Sequence, residues 1–362
     1  MKAAFIFSGS RVDRWEAARE GRCPSEFFYG AVEFEKWGDE VRVIDVGPTA
    51  AGRVTGAVDR LAAPLLPSRT NTAALWRIFR LARRLAPVDC VIATYPQAAM
   101  GLSLLRRLGR FRRPVIGIQC GLVNFPLEPL RRAVTGWLLR DSWSALFAHS
   151  ERREMIRRFA LPGERIVSCD FGVDLAFWTP DAAPREAFVL AVGNDGRRDF
   201  ETLIRAAERM KRQVRIVTRR RLPEKLPPNV EWIQGDWQGQ ALSDEALREM
   251  YRRAAVVVVP LIDSPQPSGQ SVAMQALACG CPVVLTNTQG LWTDSILEDG
   301  VHLTLVPPSD IGALTRAVEK AAGLTDGARE ARELLVEEEW DAVGFARRLR
   351  SLCARALGQP AV

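Results

Sequence analysis

Histidine is almost missing: 362 residues contain two, His149 and His302. That supply excludes a histidine-rich metal site. The seven cysteines are odd in number and scattered. The nearest pair, Cys279 and Cys281, is separated by one residue, a poor spacing for zinc and a better one for packing. Thiols used this way fit a reducing cytoplasm. No apolar run reaches the roughly 18 residues that a membrane-spanning helix needs. The opening MKAAFIFSGS turns polar too early for a signal peptide and predicts a first buried strand. No strict short-period repeat and no low-complexity segment interrupts the chain.

What is present suits a folded protein. A hydrophobic share of 47% with a charged share of 26% separates the chain from disordered sequences. The length exceeds what one core usually organises, so two domains are expected. The net charge of +7 is uneven. Residues 1–178 carry 27 Lys+Arg against 18 Asp+Glu, and residues 179–362 carry 23 against 25. A basic first half points to an anionic partner, a membrane surface or a phosphate-bearing acceptor rather than nucleic acid. A solvated arginine-rich face explains the same counts equally well.

Taken in order, the apolar runs alternate with helical spacing. Strands are predicted at 3–7, 41–46, 90–93, 115–118, 145–148 and 166–168, with helices at 27–37, 75–85, 98–108, 130–139 and 151–159 between them. Short connections between alternating elements imply a parallel, doubly wound sheet. The polar, proline-punctuated stretch 170–185 is the best domain boundary. A second series follows, with strands at 188–192, 214–218, 230–233, 256–259, 282–286 and 302–306. Asp199 and Asp310 stand where helix caps are wanted. The fold class is therefore α/β, with two Rossmann-like domains, 1–178 and 179–340, and a closing helix over 341–357 that returns to the first.

The stretch 254–290 reads as strand, glycine-bearing turn, helix, glycine stop, strand. Its turn, with Ser268 and Gly269 leading to Gln270 and Ser271, presents N–H groups at a helix start, where a phosphate would sit. Arg197 and Arg198 lie in a loop after the strand 188–192 and supply positive charge. The plainer reading makes these arginines surface charges. Arg219 follows another strand at the end where ligands bind in such sheets. Gly9 occupies the first strand-to-helix turn, a weak signal because any tight turn favours glycine. His149 lies at a strand end and is an acceptor-binding candidate, with a structural role as the safer reading.

Several segments resemble family-4-type glycosyltransferases of the GT-B fold: FGVDLAFWTP at 171–180, ALFAHSERREMIRRF at 145–159, FVLAVGNDGRRDFETLIRAA at 188–207, and the stretch 254–290. The resemblance covers most of 145–320 and is weaker before 140. It implies two domains facing across a cleft, the second holding a nucleotide-activated hexose and the first an acceptor. Arg198 takes the place of the family's Lys, and Asn194 stands where Arg is common. Gln275 matches the second Glu of a Glu-x7-Glu pair whose first member has no counterpart here, which leaves an uncharged ribose contact. Ile233 lies in the segment that holds the base. Gln119 and Cys120 replace a His found in many relatives, so Gln119 can only position sugar or acceptor. Glu26 is an acceptor-binding candidate, or a helix-capping carboxylate.

The resemblance thus implies a hexosyltransferase, with retention, in glycan or glycolipid synthesis. Arg198, Gln275 and Gln119 are its catalytic candidates. No cofactor is expected beyond the UDP- or GDP-linked donor, and no essential metal, since no Asp-x-Asp pair occurs. The expected partners are that donor, a sugar, lipid-linked or small-molecule acceptor, and an anionic membrane surface reached through the arginine- and leucine-rich 102–114 and 130–140. The expected location is cytoplasmic, peripheral at the inner membrane face. A non-catalytic sugar-nucleotide binder, or a GT-B epimerase or phosphorylase, stays open.

Overall fold

The computed structural model describes residues 1–9, 11–46, 72–85, 87–124, 127–235, 241–292, 296–322 and 325–360. The chain forms two compact units. The first comprises Met1–Glu20, Phe27–Asp170 and Val343–Val362, and the second Gly21–Glu26 and Phe171–Ala342.

The first unit is built on a parallel sheet. Its strands are β1 (Lys2–Phe7), β2 (Glu40–Asp45), β3 (Cys90–Ala93), β4 (Val115–Ile118), β5 (Trp143–Leu146) and β6 (Ile166–Ser168), in the order β2-β1-β3-β4-β5-β6. Strands β3 and β4 are buried throughout, which is why CVIA and VIGI show no polar alternation. The helices are α1 (Trp15–Arg19), α2 (Ala31–Lys36), α3 (Thr72–Ala82), α4 (Pro96–Arg107), α5 (Pro129–Leu139) and α6 (His149–Phe159). The last helix of the chain, Ala342–Ala356, packs on this unit. A Cβ at Gly30 would meet the Ala346 Cβ at 2.9 Å, so glycine there allows the approach. Asp39 accepts from the Met1 amine at 2.6 Å and from Arg350 Nε at 2.8 Å.

The second unit repeats the plan. Its strands are β7 (Phe188–Val192), β8 (Gln213–Thr218), β9 (Val230–Gln234), β10 (Val256–Val259), β11 (Val283–Thr286) and β12 (Thr304–Val306), in the order β12-β11-β10-β7-β8-β9 and all parallel. Its helices are α7 (Phe200–Ala207), α8 (Asp244–Arg253), α9 (Gln270–Ala278), α10 (Ile311–Ala321) and α11 (Thr325–Glu337), which makes the closing helix α12. Asp199 caps α7 by accepting from Thr202 N, and Asp310 caps α10 by accepting from Ala313 N. Two parallel, helix-flanked six-stranded sheets are the GT-B plan.

The boundaries differ from those read in the sequence. Phe177 and Trp178 belong to the core of the second unit, packed with Tyr251 and Val257, so a division after 178 would cut through that core. The short segment Gly21–Glu26 also belongs to the second unit, although its neighbours on both sides belong to the first. Among the described residues, no helix is long and apolar enough to cross a membrane.

Candidate functional site

The order of the second sheet places a topological switch between β7 and β10, since the chain runs outward from β7 toward β9 and from β10 toward β12. Ligands of such sheets bind beyond the carboxyl ends of the strands at that point. The loops that follow β7 and β10 are laced together there. Asp199 N donates to Pro260 O at 2.9 Å, Ile262 N donates to Arg197 O at 2.9 Å, and Arg198 pairs with Leu261.

This lacing draws Arg198 inward. The residue is 4% exposed, and its guanidinium sits between two glycines. A Cβ at Gly193 would fall onto the guanidinium, and one at Gly269 would lie 2.8 Å from Nη1. Nε and Nη1 make no hydrogen bond among the described residues. The guanidinium pairs with Asp195, whose Oδ2 lies 3.2 Å from Nε and whose side chain is 39% exposed. Burial pulls the guanidinium below its ordinary pKa, and Asp195 acts in the opposite direction. Arginine nevertheless keeps its proton in proteins, so the site holds a positive charge that is only partly offset.

Helix α9 starts beside it. Its N-cap, Gly269, has a left-handed φ of 78° and no side chain to bond the first turn. The helix start concentrates N–H donors and the positive end of the dipole. Ser268 Oγ donates to Asp195 Oδ1 at 3.0 Å, and Arg197 N donates to the same oxygen at 2.8 Å. A buried guanidinium, a glycine-capped helix start and a hydroxyl thus lie close together, with Asp195 between the guanidinium and the hydroxyl.

The remaining candidates fall in different places. Asn194 Oδ1 accepts from Arg219 N at 2.5 Å and from Thr218 Oγ1 at 3.3 Å, so it orders the turn that carries Arg219. Arg219 and Arg220 are both exposed, and Arg220 Nη1 donates to Arg198 O at 2.7 Å. Ile233 lies half-buried in β9, Gln270 is buried at the head of α9, and Ser271 is half-buried.

Gln275 is not open to a ligand. It is 4% exposed, its Oε1 accepts from Tyr251 OH at 3.2 Å, and its Nε2 donates to Glu26 Oε1 at 2.9 Å. Glu26, an acceptor-binding candidate by sequence, is 2% exposed inside the same unit. Its carboxylate also accepts from Trp178 Nε1 at 2.7 Å and from Asp174 N at 3.1 Å. Both residues are internal: the ribose role expected for Gln275 and the acceptor role expected for Glu26 have no accessible polar atom to carry them. Burial, reinforced by Asp174, pushes the Glu26 carboxyl up to about 8.

In the first unit, Gly9 follows β1 with open space where a Cβ would stand. Gln119 follows β4 and is fully buried, its amide folded back over Gly117 without a hydrogen-bond partner among the described residues. His149 is half-buried and opens α6. No group of three His, Cys, Asp or Glu side chains suited to a metal occurs among the described residues.

Asp195 and Tyr251 escaped the sequence reading. Asp195 had a visible signal, because Asn-Asp-Gly after a strand is a turn whose Asp bonds the backbone two residues on. Tyr251 had none beyond its place on the apolar face of a helix.

Residues 186–323 match the family described as glycosyl transferases group 1. No curated protein matches the chain in sequence. Among solved structures, Anabaena HepE in complex with UDP and glucose is similar at a TM-score of 0.65 and 13% identity, over 97% of this chain and 98% of that one. Sucrose-phosphate synthase from Thermosynechococcus elongatus is similar at 0.71 and 18% identity, over 99% of each chain. The lipopolysaccharide outer core galactosyltransferase WaaB is similar at 0.59 and 11% identity, over 97% of this chain and 99% of that one.

Proposed function

We propose that this chain, whose second unit carries the domain of the glycosyl transferases group 1 family, moves a hexose from a nucleotide diphosphate sugar to an acceptor hydroxyl. The observation that carries the reading is Arg198, a buried and under-paired guanidinium beside the glycine-capped start of α9. When the bond from the anomeric carbon to the diphosphate breaks, negative charge grows on the leaving oxygen. Fixed donors at that oxygen stabilise the transition state more than the ground state. The acceptor oxygen bonds the anomeric carbon, and its proton passes to the departing diphosphate. That route uses no side-chain base and yields retention.

The finer parts of the proposal concern donor and acceptor. A uridine donor is favoured by the relative that is held with UDP and glucose. The first unit takes the acceptor. An anionic membrane surface, at the cytoplasmic side, belongs to the same proposal: Trp76 and Leu108 are 60% and 62% exposed next to arginine-rich helix ends.

Arg198→Ala is the direct test. Removing one such donor is expected to lower kcat by about 100-fold or more while the fold persists. Nucleotide release from UDP- and GDP-hexoses with a panel of acceptors measures it. Unchanged turnover would remove the site assignment, and donor binding without transfer to any acceptor would remove the transfer reading.

A further inference from the structure

A cavity of about 270 Å³ lies at the carboxyl end of β2, lined by Ile44, Asp45, Val46 and by Arg77, Arg80 and Arg84. The arginines recur three and seven residues apart along α3 and its single-turn extension Arg83–Leu85, so they share one face. Arg77 Nη1 donates to Val46 O at 3.1 Å and fixes the helix against the strand end. Arg80 and Arg84 are exposed, and neither has an ion-pair partner among the described residues. Three guanidinia line the cavity against one carboxylate, Asp45, so positive charge is in excess there.

Asp45 completes the wall. Its Oδ2 accepts from Arg11 N at 2.7 Å and Val12 N at 2.9 Å, which ties the loop after β1 to the cavity. Its Oδ1 accepts no hydrogen bond among the described residues. The cavity therefore sets an anion-binding arginine face beside the Asp45 carboxylate. Strand β2 neighbours β1, and the first sheet has its own switch between β1 and β3, so the cavity stands beside the edge where ligands bind.

We propose that the cavity of β2 and α3 binds the phosphate of a phosphorylated, hydroxyl-bearing acceptor. This rests on the transfer reading above for the word acceptor, while the binding itself does not. Fork-shaped guanidinia match phosphate oxygens two at a time, and Asp45 selects against a bare second anion in favour of a polyol.

The test uses the full chain, with glucose 6-phosphate, glucose and inorganic phosphate as probes, titrated calorimetrically at low salt. Arg80→Ala/Arg84→Ala is the variant, since both side chains are exposed and their loss leaves the core intact. Glucose 6-phosphate is expected to bind about tenfold more weakly to the variant, with glucose showing no binding to either and UDP binding both alike. Equal affinity of glucose 6-phosphate for both proteins overturns the proposal. Vesicles of phosphatidylcholine with phosphatidic acid distinguish the source of the phosphate. Retention of the native protein but not the variant, without binding of glucose 6-phosphate, assigns the cavity to a lipid headgroup. Failure of every phosphate probe to tell the two proteins apart removes the cavity as a phosphate site. UDP binding is scored separately, so its absence counts against the donor site alone.

Discussion

A guanidinium and a carboxylate are both withdrawn from water in the second unit, and they are held differently. Glu26 is surrounded by donors: Trp178 Nε1, Gln275 Nε2 and Asp174 N. Arg198 has one half-exposed carboxylate and two nitrogens without a hydrogen bond among the described residues. The first is a closed network; the second keeps donors without a hydrogen-bond partner among the described residues. Even so, burial lifts the Glu26 carboxyl from an ordinary 4.5 to about 8. The folded chain therefore holds this proton more tightly than the unfolded chain, and stability drains away as pH rises between those two values. Glu26→Gln should remove that loss. Its melting temperature should gain on the native protein from about pH 5 to about pH 8 and then stop gaining, which thermal unfolding across pH measures. A gap that does not change with pH would mean that the carboxyl stays ionised throughout. The loop that carries Arg198 was legible, because the strand end before it and the Asp199 cap after it are local patterns. The setting of Gln275 was not, since its partner Glu26 lies 249 positions away and no period connects them.

Elements were more legible than residues, because caps and apolar periods act over a few positions. The glycine stop of α9 is one case. Gly280 N donates to Leu277 O at 2.8 Å and Cys281 N to Ala276 O at 2.9 Å, the paired closure that a left-handed glycine permits. What closes the remaining carbonyls came from elsewhere. Arg185 Nη1 donates to the carbonyls of Tyr251, Arg252 and Ala254 at 3.0–3.1 Å, and Nη2 donates to Gly280 O at 2.5 Å. One guanidinium thus serves the carboxyl ends of both α8 and α9, whose orphan carbonyls carry the negative end of the dipole. Arg185→Ala should cost about 2–3 kcal/mol in urea unfolding and leave donor affinity nearly intact. In the sequence Arg185 only ends the polar stretch 170–185, since its acceptors are backbone oxygens that no side-chain pattern reports.

For the whole molecule, the two parallel sheets were legible from alternating runs, and the path of the chain between them was not. The second unit takes Gly21–Glu26 from within the sequence of the first. A fragment of 171–342 would strand the donors of Trp178, Gln275 and Asp174 in the interior. Such a fragment should unfold at lower urea than the same unit in the intact chain. The added changes Trp178→Phe and Gln275→Leu should narrow the difference, because deleting donor and acceptor together costs less than deleting one. If the fragment is as stable as the intact unit, the segment contributes nothing to it.

Helix α12 bears on the order of manufacture. A ribosome delivers the chain from its amino end, so residues 1–170 emerge first. They emerge without Ala346, which rests on Gly30, without Phe345, which meets Tyr29 and Phe147, and without the Arg350 that shares Asp39 with the chain's own first amine. The second unit has its borrowed segment ready before its own strands appear. Of the two units, the one whose strands appear first is therefore the one completed later, once α12 has emerged and packed on it.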